Sequence, residues 1–140
     1  MKSFLAFGLL LLTAFPASAQ TAEVFVKGNG AQCWLDVREI VHRRGRDVTE
    51  DNQLQILRAG HFSTAAGDLF LTVQALSEKN KKGEEGCRIY VQVESGGSLY
   101  SRGQAVNDLS NNTRIANSIA AEVASMQKAR EKKDKKAANS

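Results

Sequence analysis

Two stretches of period-two alternation, 68–76 and 87–94, flank a charged turn, and they constrain this chain more tightly than any other feature. In the first, Leu69, Leu71, Val73 and Ala75 fall opposite Phe70, Thr72, Gln74 and Leu76; in the second, Cys87, Ile89, Val91 and Val93 fall together. Successive side chains of a strand point to opposite faces, so each stretch reads as a half-buried strand. The residues between them, 78–86, are all turn and charge. The two strands are therefore expected to close an antiparallel hairpin.

Towards the C-terminus the period changes. Ile115, Ile119, Val123 and Met126 recur at helical spacing behind a cap drawn from Ser110 to Asn112, and alanines at 116, 120, 121 and 124 favour a helix that approaches the strands closely. From Lys128 onward the stripe is lost. The sequence predicts a long helix packed on the sheet, fraying over 128–140 into a disordered basic tail.

The N-terminal half is less sharply patterned. Glu23-Val24-Phe25-Val26 is β-rich and Gly28-Asn29-Gly30 supplies a turn, which together predict a hairpin leading into a second strand over 32–42. That strand would carry Cys33, Leu35 and Val37 on one face and Trp34, Asp36, Arg38 and Ile40 on the other. Residues 42–47 read as a polar loop. From Thr49 a short helix is expected: Thr49 as cap, Glu50 and Asp51 in the first turn, Leu54 and Leu57 at helical spacing and Gly60 as terminator. A strand over 53–57 competes with it, since Leu54 and Ile56 also alternate with glutamines. Ser98 to Ser101 are expected to add a short edge strand. The fold class is α+β: a mostly antiparallel sheet of four to five strands, a long C-terminal helix on one face, a short helix between strands 2 and 3, and one disulfide.

Met1-Lys2, an apolar run from Phe4 to Phe15 and Ala17-Ser18-Ala19 ahead of Gln20 have the layout of a cleaved secretory signal peptide, and the run is too short for a permanent membrane span. Three regions follow: a signal over 1–19, a single α+β domain over 20–127 and the basic tail over 128–140. The expected address is the periplasm or the cell exterior, with no transmembrane segment in the mature chain and no cysteine at the cleavage point for lipid attachment. The chain's two cysteines, Cys33 and Cys87, then point to a disulfide rather than to a metal site. In the chain-entropy description such a long closed loop is worth roughly 4 kcal/mol.

Chemistry is thinly signalled. His42 and His61 are the chain's imidazoles. Neither lies in a nucleophile, metal or phosphate-loop motif, and the sequence assigns no catalytic residue, cofactor or metal. Binding is better supported. With Cys33 and Cys87 on one sheet face, alternation would gather Trp34, Arg38, Arg88, Tyr90 and Gln92 on the other, with Phe70 beside them, a composition typical of protein interfaces. The leading expectation is an exported adaptor, inhibitor or accessory subunit that meets an envelope or extracellular protein through this face. A rival is weak contact with anionic lipid or another polyanion through Arg43, Arg44, Arg46, Lys128, Arg130, Lys132, Lys133, Lys135 and Lys136. The formal net charge of +4 supplies its long-range attraction. No aromatics interleave with these cations, so nucleic acid is not an expected partner. A second rival is a small hydrolase or isomerase with a site near His61.

Overall fold

The alternating stretches form the centre of a five-stranded sheet whose strands lie side by side in the order 22–27, 85–93, 67–79, 56–64 and 45–51. The computed structural model describes residues 21–64, 67–93 and 109–139; the expected signal over 1–19 and the expected edge strand at 98–101 lie outside them. The elements in chain order are β1 (Ala22–Lys27), α1 (Gly30–Arg44), β2 (Gly45–Asp51), β3 (Ile56–Thr64), β4 (Gly67–Lys79), β5 (Glu85–Val93) and α2 (Leu109–Ala138). Every neighbouring pair of strands is antiparallel. The fold is α+β, as expected, with the long C-terminal helix on the sheet and the Cys33–Cys87 disulfide formed.

Both helices share one sheet face. Val26, Leu57, Ala59, Phe62, Leu69, Leu71, Val73, Ala75, Ile89, Val91 and Val93 bury their side chains there against Cys33, Trp34, Val37, Ile40 and Val41 of α1 and Ile115, Ile119 and Val123 of α2. Met126 packs against the margin of this cluster. Asn112 of α2 is fully buried, and its Oδ1 accepts the Val93 N–H at 3.3 Å, which ties the end of β5 to the start of the helix.

Several elements differ from expectation, among them residues 42–47, which are the end of α1 and the start of β2 and not a loop. The segment 32–42 is the body of α1 and not a strand, so Gly28-Asn29-Gly30 opens a helix and not a hairpin. Asn29 is the cap, its Oδ1 accepting the Gln32 N–H at 3.0 Å. Cys33, Val37, Ile40 and Val41 fall on one helical face, whereas Leu35, needed by the alternating reading, is 48% exposed. Gly30 lets α1 start hard against the sheet: a Cβ there would collide with Ser77 Oγ and approach the Gly86 carbonyl to 2.9 Å. The disulfide consequently ties α1 to β5, with Cα atoms 6.2 Å apart, and does not tie one strand to another.

The short helix expected from Thr49 to Gly60 is instead the β2–β3 hairpin. Asp51 does not charge a first helical turn; its Oδ1 accepts the N–H groups of both Gln53 and Leu54 at 3.0 Å and so closes a tight turn. Gln55 completes it with φ at +54°. Leu54 projects outward at 53% exposure while Ile56, Leu57 and Ala59 are buried, which is strand and not helix burial. Gly60 terminates nothing; it lies at the irregularity between Ala59 and Phe62.

The C-terminal helix does not fray at Lys128. It runs to Ala138, because the basic segment consists largely of Lys, Ala, Arg and Glu, which are strong helix formers, and Glu131 stands four residues before Lys135.

Candidate functional surfaces

The expected protein-binding patch is divided by the fold. Trp34 lies on α1 and is 8% exposed within the core, so it belongs to the interior and not to a docking surface. Arg38 is also on α1, where its Nε and Nη2 donate to Glu50 of β2 at 2.5 and 2.8 Å. That guanidinium holds the Glu50 carboxyl below the ordinary carboxylate range, with His42 Nε2 3.6 Å from the same oxygen. Phe70, Arg88, Tyr90 and Gln92 do share the sheet face away from the helices, as the β4–β5 register requires. The centre of that face is closed: Thr72, Gln74 and Gln92 are 2 to 3% exposed, and Gln74 donates to the Leu54 carbonyl at 2.9 Å.

Nearer β1 the face is open enough to matter. Arg88 lies with its guanidinium carbon 5.5 Å from the centre of the Phe25 ring and donates to Glu78 at 2.5 Å, with Glu23 at 3.9 Å. The Glu78 contact raises the Arg88 pKa, and burial pushes the neighbouring Tyr90 phenol above its ordinary value. Glu23 and Phe25, which the sequence did not single out, face Tyr90 and Arg88 across the β1–β5 pairing. Their strand was legible, but its pairing to β5 was not.

The basic candidates separate into two classes. Arg43 and Arg44, at the end of α1, both pair with Glu122 of α2, and Arg44 also donates to Ser118 Oγ at 3.1 Å and lies over the Phe62 ring at 4.6 Å. Arg46 pairs with Asp68 at 3.3 Å. Arg130 makes a two-pronged contact with Asp36, at 2.9 and 2.5 Å, and the Asp36 side chain is only 2% exposed. These arginines are occupied in holding helices and strands together, and the Asp36 carboxylate keeps the Arg130 pKa above its ordinary value. The arginines therefore do not join the tail in one cationic surface, as the sequence suggested.

The Asp36–Arg130 contact supports a direct test of this division. Arg130→Ala leaves a buried carboxylate unpaired and is expected to cost about 2 kcal/mol, low in the range for buried pairs because the Arg130 side chain is 38% exposed. Replacing both partners, Asp36→Leu with Arg130→Met, is expected to recover most of that loss in urea unfolding.

The lysines are different. Lys128, Lys132, Lys133, Lys135 and Lys136 are all exposed, and among the described residues no ion pair holds them. At about 100° per residue they cover an arc of roughly 160° of α2, in which Lys128, Lys132, Lys135 and Lys136 turn away from the Ile115, Ile119 and Val123 stripe and Lys133 continues the line of Ile115 beyond the part of the helix that is buried. Glu131 and Asp134 lie outside that arc. With 30 residues the helix is about 45 Å long, and every described residue from Glu131 onward is exposed.

His61 stands on β3 with Nε2 3.8 Å from Asp47 Oδ2, while its Nδ1 is buried without a hydrogen-bond partner. Ser63 accepts from Arg44 through its carbonyl. Among the described residues no cluster of three or more His, Cys, Asp or Glu side chains is arranged to hold a metal ion. Nor is any described helix long and apolar enough to cross a membrane. No protein-family model matches the chain, and no curated protein matches it significantly in sequence.

Proposed function

We propose that this chain is an exported binding module that holds itself to a phosphate-bearing lipid surface through the lysine face of its C-terminal helix. The observation that carries this reading is the contrast between the two sets of cations. The arginines are each paired with a carboxylate of another element, and the lysines are left together, exposed and on one side of a projecting helix. The face has no large apolar residue to insert between acyl chains, only small side chains such as Ala129, so attraction is electrostatic and peripheral. Each lysine near an anionic surface contributes about 1 kcal/mol, an effect that salt screens within about 10 Å at 0.1 M.

Co-sedimentation with phosphatidylglycerol vesicles and with neutral phosphatidylcholine vesicles tests this. Binding is expected to the anionic vesicles alone and to fall steeply with added salt. Lys132→Gln, Lys133→Gln and Lys136→Gln together are expected to weaken it about 100-fold, while Arg46→Gln leaves it nearly unchanged. Equal binding to neutral vesicles, or full binding by the triple variant, would sink the reading.

A protein partner at the open end of the sheet face is a second reading, favoured by the grouping of Phe25, Arg88 and Tyr90. A partner retained at high salt and lost with Arg88→Ala would favour it over the lysine face.

A further inference from the structure

The sheet has two outer strands, and they are built differently. Asp47 of β2 has φ at +53° opposite the irregular stretch of β3, and Glu50 of β2 is tied down by Arg38. An irregular, charged edge of this kind resists pairing with another chain. β1 has no bulge and no proline, and among the described residues no strand pairs with its outer side.

The phase of that outer side is fixed. Gly28 N–H donates to the Glu85 carbonyl at 3.0 Å, in register with Val26 opposite Cys87 and Val24 opposite Ile89. Even-numbered residues of β1 therefore bond to β5, and Glu23, Phe25 and Lys27 direct their N–H and C=O groups outward.

We propose that this edge is a self-association site, on which a second copy of the chain adds its own β1 antiparallel and joins the two sheets into one. The sequence of the edge selects the occupant. Two identical strands paired about a twofold axis at Phe25 place Phe25 against its own counterpart, Glu23 against Lys27 of the partner subunit, and Lys27 against Glu23 of the partner subunit. Centring the pair on Glu23 or on Lys27 instead sets like charges opposite each other, so charge disfavours both of those registers, and centring on Phe25 alone brings both opposite-charge pairs together. Glu23 is 57% and Lys27 68% exposed, so their contacts with Arg88 and Glu84 within the chain leave both side chains accessible from the edge. Beside β1, Ala120, Ala121 and Ala124 of α2 line a groove of about 560 Å³ with Phe25 and Val26. Methyl groups there leave room for the partner's helix to come close.

Sedimentation equilibrium of the purified protein tests the proposal, with amide hydrogen exchange to locate the contact. The expected result is a dimer whose Glu23, Phe25 and Lys27 amides are protected. Glu23→Lys sets a lysine opposite Lys27 of the partner subunit and is expected to weaken dimerisation about tenfold, with the circular dichroism spectrum unchanged. Adding Lys27→Glu to that variant reverses both charges and is expected to restore the dimer. A monomer at all concentrations, unprotected β1 amides, or a dimer indifferent to Glu23→Lys would each overturn it.

Discussion

Replacing Cys33 and Cys87 by serine is expected to cost about 4 kcal/mol. The bond spans 54 residues, and cutting it releases that loop in the unfolded state. In the native state it fastens the first turn of α1 to the turn-proximal end of β5, both cysteines being fully buried. A domain of this size has roughly 5–15 kcal/mol of stability in total, so the double variant should unfold at a much lower urea concentration and expose protease-sensitive chain. Each single serine variant should lose a comparable amount, because either one opens the same loop. A double variant with the parent's midpoint would show that the bond adds no stability to this fold.

The bond was legible in the sequence because an even, widely separated cysteine pair behind an expected export signal leaves few alternatives. Its structural setting was not. Cys33, Leu35 and Val37 satisfy period two over five residues, and Cys33, Val37, Ile40 and Val41 satisfy the helical period over nine. The longer set describes the structure, and the local sign of it is Asn29, placed to cap Gln32. The same ambiguity runs through Thr49-Glu50-Asp51, which suits a helix start equally well until Asp51 is seen to serve the turn that follows it. By contrast, the β4–β5 hairpin and the stripe of α2 were plain, because each repeats one period long enough for a single template to fit.

The candidate surfaces divide in the same way. The lysines are neighbours in sequence and remain neighbours in space. What removed the arginines from them are contacts such as Arg44 with Glu122 and Arg130 with Asp36, 78 and 94 residues apart, which no local pattern encodes. The Asp36 contact also accounts for part of the helix's persistence: it fastens α2 to α1 one turn beyond Met126, the last apolar residue of the stripe.

Trp34→Ala is expected to destabilise the protein by about 3–5 kcal/mol, and to lower its melting temperature on the order of 15 °C. The indole is 8% exposed, on the face of α1 that carries Val37 and Val41 into the core between the helices and the sheet. Removing it leaves a large cavity at the edge of the core cluster, which can close only by moving the helix that the disulfide holds in place. Any loss of partner binding in this variant would follow from that unfolding, so Arg88→Ala is the better probe of the sheet face: Arg88 lies on the other side of the sheet from the helices. Trp34→Phe keeps a ring in the same position and should lose about 1–2 kcal/mol. Thermal unfolding of the two variants separates a packing role from a surface role, since a surface tryptophan would tolerate both substitutions with changes within about 0.5 kcal/mol.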